Sequence, residues 1–177
     1  LLRSSSAMMA KTTITTVGLK RLAVATLFAC GIVHAQSTVP VMQPTEGDFE
    51  ARDFHFQSGQ TLPTVKLHYA TLGTPTRGAD GKVNNAVLLL HGTTGTGRAY
   101  LTPLMQKELF AAGQPLDASR YYIIMPDGIG RGGSSKPSDA LRANFPRYGY
   151  NDVVEGHYRL LTEGLKVDHL RLILGTS

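Results

Sequence analysis

The sequence predicts an α/β fold: a mixed sheet with antiparallel first strands, then parallel strands, and helices on both faces. Residues 49–56 and 65–72 alternate apolar and polar side chains, the pattern of a half-buried antiparallel pair. Ala86–Leu90 and residues 121–125 are uninterrupted apolar runs, as expected of strands covered on both faces. Segments of helical periodicity separate the later strands, which indicates parallel connections.

Residues 1–35 read as a leader with a secretory signal peptide. Lys20 and Arg21 precede an apolar run at residues 22–33, and the small residue Ala35 follows, so we expect cleavage after Ala35. The run is shorter than the ~20 apolar residues of a membrane span. We therefore predict a periplasmic or secreted protein with no membrane association after cleavage. An N-terminal membrane anchor and a buried helix are the alternatives, and Cys30 lies in a stretch similar to a lipoprotein box.

The basic charge of the chain belongs mostly to this leader. The formal net charge is +5, but residues 1–35 hold four basic residues and no acidic one, so the rest is nearly balanced. This distribution argues against a nucleic-acid partner. Cys30 is the only cysteine, so a mature chain starting near Gln36 has neither a disulfide nor a thiol nucleophile. Met9 or Met8 makes a better start than Leu1.

After a Pro-rich linker at residues 36–48, residues 49–177 are predicted to form one α/β domain. Its elements in order are the two antiparallel strands, the strand Ala86–Leu90, a helix through Leu104, Leu109 and Phe110 that ends at Gly113, the strand at residues 121–125, a helix from an Asn151 N-cap to Gly164, and a short buried strand at residues 170–174. That last strand is expected at an uncovered sheet edge, which makes the chain prone to aggregation.

Three loops follow the carboxyl ends of the parallel strands, where active sites of such sheets lie. Gly175-Thr176-Ser177 after a strand is the first half of a nucleophile elbow, so Ser177 is the candidate nucleophile. The turn at Gly92 and Thr93 is expected to aim the Thr93 N–H at a developing oxyanion. Glycine at position 92 lets the backbone approach a substrate closely.

Other polar residues in these loops have structural and catalytic interpretations. His91 is expected to brace the oxyanion turn, with general base as the alternative. Asp127 is expected to bind local backbone N–H groups, with triad member as the alternative. His157 is predicted to be a satisfied packing residue. The Gly128-x-Gly130-x-x-Gly133 spacing is a weak dinucleotide fingerprint because no helical pattern begins there. We expect neither a cofactor nor a metal site.

At this point the sequence resembles the α/β-hydrolase superfamily, and within it the homoserine O-acetyltransferase-like branch. The resemblance covers about residues 49–177 and is carried by residues 56–63, 69–73, 85–95, 116–122, 150–154 and 172–177. It implies the N-terminal part of an α/β-hydrolase fold, with Ser177 as the nucleophile and Thr93 as an oxyanion donor. In the family the acidic residue, the catalytic histidine and the lid follow the nucleophile. We therefore expect a fragment that is inactive by itself.

The resemblance implies a serine hydrolase that cleaves an ester or related acyl bond of a small molecule through an acyl-enzyme. Two features depart from the acetyltransferase pattern: Gly92 replaces a bulkier residue, and the turn at residues 127–134 is more similar to that of general hydrolases. An acyltransferase acting on homoserine is the first alternative. A non-catalytic protein of the same fold is the second. An exported enzyme does not meet acetyl-CoA, which favours hydrolysis.

Overall fold

A mixed sheet of five strands organises residues 41–177, the part of the chain that the computed structural model describes. The strand order in the sheet is β1-β2-β4-β3-β5. The strands are β1 (Thr45–His55), β2 (Thr61–Leu72), β3 (Ala86–Leu90), β4 (Tyr122–Pro126) and β5 (Leu172–Gly175).

The first two strands form the antiparallel hairpin that the alternating pattern predicts. Phe49 of β1 lies opposite Leu67 of β2. The hairpin turn is closed by the Gly59 N–H, which donates to Phe56 O at 2.8 Å, and Gly59 has a positive φ of 82° that suits glycine. Strand β1 begins at Thr45, four residues before the expected start, because this end of the strand also pairs with β2.

The inner strands carry the core on both faces of the sheet. Strand β4 pairs antiparallel with β2 and parallel with β3, and β3 pairs parallel with β5. Val87 and Leu89 point into a cluster on one face, whereas Ala86 and Leu88 point into a cluster on the other. The predicted two-sided burial of these strands is confirmed, since a side-chain period of two places consecutive residues on opposite faces.

The first helical segment is less regular than predicted. A 3₁₀ turn (Gly97–Leu101) leads into α1 (Pro103–Met105) and then into a π-helical turn (Gln106–Phe110). The segment ends at Phe110 rather than at Gly113, and its buried Tyr100 and Phe110 pack against β3 and β4. Short 3₁₀ turns follow at Pro137–Asp139 and Arg142–Asn144.

The second helix packs on the opposite face. Helix α2 (Tyr150–Arg159) continues through a π-helical turn (Leu160–Gly164), and Leu161 joins the core cluster beneath Leu88. The expected N-cap at Asn151 was wrong. The cap is Gly149, whose N–H donates to the Asp152 carboxylate at 2.7 Å. No helix within residues 41–177 is long and apolar enough to cross a membrane.

Strand β5 has the predicted place in the sheet but not the predicted burial. It is the outermost strand beside β3, and Leu172, Ile173 and Leu174 are 42%, 58% and 38% exposed. The expectation of a buried strand was wrong, because the described residues cover these three side chains only in part. The apolar run in the sequence predicts a strand, but it does not predict which other segments pack on the faces of that strand.

Candidate active site

Loops from three parallel strands meet at one edge of the sheet and enclose a cleft of about 430 Å³. The loops follow the carboxyl ends of β3, β4 and β5, which is where parallel sheets bind ligands. The cleft is lined by Leu90, His91, Gly92, Thr93, Gly128, Ile129, Arg131, Tyr148, Tyr150, Val153, Val154, His157, Thr176 and Ser177.

Ser177 lies beside the turn that follows β3. A Cβ added to Gly92 would stand 3.2 Å from Thr176 O and 3.5 Å from Ser177 Cα. The backbones of the two loops therefore approach each other closely, and a side chain at position 92 would require a small shift of Thr176 O. The fold brings Ser177, Gly92 and Thr93, three residues singled out from the sequence, into one cleft.

The turn itself presents Thr93 at an exposed corner. The Gly95 N–H donates to Gly92 O at 2.9 Å, which closes a four-residue turn with Thr93 in its second position. The N–H of that position takes no part in the turn hydrogen bond. Thr93 is exposed and lines the cleft, and no described hydrogen bond uses its backbone N–H.

His91 contacts both this turn and the loop after β4 through its two ring nitrogens. Nδ1 lies 2.8 Å from Gly92 O, and Nε2 accepts a hydrogen bond from the Gly128 N–H at 3.0 Å. This arrangement requires a neutral ring with its proton on Nδ1. His91 therefore braces the turn after β3, which agrees with the structural interpretation, and both of its ring nitrogens have partners.

Asp127 has a similar bracing role at the end of β4. Its carboxylate accepts hydrogen bonds from the Gly97 N–H at 2.7 Å and from the Gly133 N–H at 2.8 Å. The buried Ser134 hydroxyl donates to Asp127 O at 2.8 Å. Asp127 thus binds backbone N–H groups, as expected, but one of them lies 30 residues away. It joins the first helical turn to the loop after β4.

His157 is buried in α2 and lines the same cleft. Only 8% of its surface is exposed, and its Nε2 has no hydrogen-bond partner among the described residues. Burial, the largest cause, lowers the pKa of His157 from its ordinary 6.5 to about 4. The expectation of a packing residue holds, but the expectation that the ring is satisfied was wrong for Nε2.

One polar contact in the cleft has no sequence signal. The Tyr100 hydroxyl donates to Leu90 O at 2.8 Å and lies 3.4 Å from Thr176 Oγ1, next to the candidate nucleophile. A tyrosine in an apolar helical segment is indistinguishable from an ordinary core residue in the sequence. Within residues 41–177, no group of three His, Cys, Asp or Glu side chains is placed to hold a metal ion. The leader and Cys30 lie outside the described residues.

Comparison with known proteins points to one superfamily. No family model matches the chain. It is 28% identical over 131 residues to a probable acyltransferase of Methanothermobacter thermautotrophicus, covering 73% of this chain and 39% of the relative. It is 35% identical over 136 residues to a homoserine O-acetyltransferase of Solidesulfovibrio magneticus, covering 68% of this chain and 33% of the relative.

A solved structure gives the same picture. The chain superimposes on an acetylester hydrolase from Corynebacterium glutamicum with a TM-score of 0.62 and 25% identity, covering 74% of this chain and 36% of the other. The chain thus spans well under half the length of these relatives. Sheet order, the loops that build the cleft and these similarities agree: the chain belongs to the α/β-hydrolase superfamily, as a relative of its homoserine O-acetyltransferases and acetyl esterases.

Proposed function

We propose that the protein is a serine hydrolase that cleaves a carboxylic ester of a small molecule, with Ser177 as its nucleophile. The observation that carries this proposal is the contact between the two loops: Ser177 Cα lies 3.5 Å from the position of a Cβ on Gly92. A hydroxyl and a backbone N–H donor on one side of a cleft are the parts that acyl transfer requires. The relatives named acyltransferase and acetylester hydrolase support the same chemistry.

The proposed reaction has two steps. Ser177 Oγ attacks the ester carbonyl carbon while a base takes its proton, and the negative charge that develops on the carbonyl oxygen is stabilised by the Thr93 N–H. Collapse expels the alcohol, which takes that proton, and leaves the acyl group on Ser177. Water then attacks the acyl-enzyme, giving its proton to the base, and the carboxylic acid departs as Ser177 recovers its hydrogen.

The base in this scheme is a histidine from outside residues 41–177, because only two of the described histidines, His91 and His157, line the cleft and neither suits the role. His91 has no free nitrogen. His157 has a pKa of about 4, which makes it a weak proton acceptor at neutral pH, where a general base works best with a pKa near the working pH. We therefore propose that the 177-residue chain alone has no turnover and that activity belongs to the full-length protein.

The test is labelling of the full-length protein with a fluorophosphonate probe. We expect rapid labelling of the wild type, and loss of both labelling and p-nitrophenyl acetate hydrolysis in Ser177→Ala, by roughly 10⁴-fold or more. Ser58→Ala is the matched control, since Ser58 is an exposed serine of the hairpin turn. Labelling that survives Ser177→Ala would place the nucleophile elsewhere. A wild type that neither labels nor hydrolyses would indicate a non-catalytic member of the fold.

A second candidate differs only in the acyl acceptor. The 35% identity to a homoserine O-acetyltransferase favours an enzyme that passes the acyl group from Ser177 to an alcohol such as homoserine. The hydrolase and the transferase are distinguished by adding homoserine and acetyl-CoA to enzyme that reacts with the fluorophosphonate probe. O-acetylhomoserine formation faster than ester hydrolysis supports the transferase, and no product supports water as the acceptor.

The leader favours water. We propose that residues 1–35 direct export with cleavage after Ala35, which would separate the enzyme from cytoplasmic acetyl-CoA. N-terminal sequencing of the protein from a fractionated bacterial host checks this. A mature N-terminus at Gln36 in the periplasmic or culture fraction is expected, and an uncleaved protein in the cytoplasm would reverse the ranking of the acceptors.

A further inference from the structure

Tyr100 connects the core of the sheet to the loop that carries the candidate nucleophile. Its ring is 4% exposed and packs with Val87, Leu89 and Met125 on one face of the sheet. Its hydroxyl reaches the carboxyl end of β3, where it donates to Leu90 O at 2.8 Å. Aromatic packing therefore fixes where this hydroxyl lies.

Leu90 O also accepts a hydrogen bond from the loop after β5. The Thr176 N–H donates to it at 3.1 Å, and Thr176 Oγ1 lies 3.4 Å from the Tyr100 hydroxyl. Both the backbone and the side chain of Thr176 are thus tied to the end of β3. Leu90 is followed by His91 and Gly92, so the same carbonyl stands at the start of the oxyanion turn.

We propose that Tyr100 is a positioning residue for Ser177. By holding Thr176 against Leu90 O, it sets the distance between the serine hydroxyl and the Thr93 N–H. This assignment rests on the proposed function. A misplacement of the reacting groups by about 1 Å can lower the rate on the order of 100-fold. A contact one residue from the nucleophile can therefore affect the rate measurably.

The same geometry separates positioning from folding. In Tyr100→Phe the ring keeps its apolar packing, and Leu90 O keeps the Thr176 N–H as a donor, so no carbonyl is left without a partner. The side chain of Thr176 is exposed, so its replacement creates no cavity. We expect both variants to fold.

The experiment measures kcat, KM and the rate of fluorophosphonate labelling in the full-length protein. We expect Tyr100→Phe to lower kcat and the labelling rate by about tenfold with KM within about twofold, because the loss falls on the reacting geometry. Thr176→Val should show a similar loss, and Thr176→Ser should retain more activity because it keeps a hydroxyl. The double variant Tyr100→Phe with Thr176→Val should lose less than the product of the two single effects, since both remove one contact.

The matched control is Tyr122→Phe, which removes the hydroxyl of a buried tyrosine in the core cluster on the other face of the sheet. We expect it to leave kcat unchanged. Equal kcat in Tyr100→Phe and wild type would overturn the assignment while leaving the proposed function intact. Equal losses of kcat in Tyr100→Phe and Tyr122→Phe would also overturn the assignment, because they would show an effect of core packing in general. A wild type without Ser177-dependent labelling would refute the proposed function, and the assignment with it.

Discussion

Two histidines line the cleft, and their surroundings give them opposite properties. His91 satisfies both ring nitrogens through Gly92 O and the Gly128 N–H. His157 is 8% exposed and leaves Nε2 without a partner in the described part of the chain. Burial penalises the charged form of His157, and the neighbouring Asp127 favours that form. His157 is therefore neutral in the folded protein at and above pH 6.

This neutral state makes stability depend on pH. The folded-state pKa of about 4 lies below the ordinary 6.5, so the unfolded chain binds a proton that the folded chain refuses. We expect the free energy of unfolding to fall as pH drops from about 6.5 to about 4, by on the order of 3 kcal/mol from this group. Urea unfolding of the protein at a series of pH values across this range measures the change.

His157→Gln should remove this component of the pH dependence, because glutamine does not titrate. His169→Gln is the control, since His169 is exposed. An unchanged slope of stability against pH in His157→Gln would show that another group carries it.

At the scale of single elements, the turn after β3 does most to shape the site. Gly92 allows the two loops to meet, and the Gly95 N–H closes the turn on Gly92 O. Thr93 stands at the second position with an exposed side chain, and its φ is not positive. Proline is common at that position of type I and type II turns, and it removes the backbone N–H.

Thr93 therefore offers a test that separates backbone from side chain. We expect Thr93→Ala to change kcat by less than about threefold, because the proposed donor is the backbone, whereas Thr93→Pro should lower kcat by roughly 10²–10³-fold through loss of one oxyanion donor. Thermal unfolding of both variants serves as the control for folding. Similar kcat values in the two variants would remove Thr93 from the oxyanion site.

Across the whole molecule, the sheet is covered unevenly. Strands β3 and β4 are buried on both faces, whereas β5 at the edge exposes three consecutive apolar side chains. An exposed apolar edge strand also presents unpaired backbone groups, which favours pairing with another chain. We therefore expect self-association of the 177-residue polypeptide through the described surface at β5.

A single charge at this edge should reduce that association. We expect Ile173→Lys to lower the light scattering of the 177-residue chain several-fold at micromolar concentration, because charged side chains block edge pairing. Leu104→Lys is the matched control, since Leu104 is 66% exposed but lies in the first helical segment. If both lysines lowered scattering equally, net charge rather than the β5 edge would be the cause.

The elements with the strongest local signal were predictable from the sequence. The apolar run Ala86–Leu90 gave a strand buried on both faces, and the alternating segments gave the hairpin. The N-cap of α2 was predicted at Asn151 because asparagine is a favoured N-cap residue. In the structure the N-cap is Gly149, and its N–H donates to the Asp152 carboxylate. The role of a residue can be predicted from sequence spacing when its partners are fixed by the local pattern. It cannot be predicted when several neighbouring residues could make the same hydrogen bond.

The sequence by itself determined the strands, the two-sided burial of β3 and β4, and the placement of Gly92, Thr93 and Ser177 at strand ends, because these depend on periodicity and on neighbours along the chain. Only the tertiary structure decided that β5 is exposed, that His157 loses a partner for Nε2, and that Tyr100 reaches Thr176 across 76 residues. Each of these properties depends on which segments, distant in the sequence, pack against one another. Tertiary packing decides this, and local conformational preference does not.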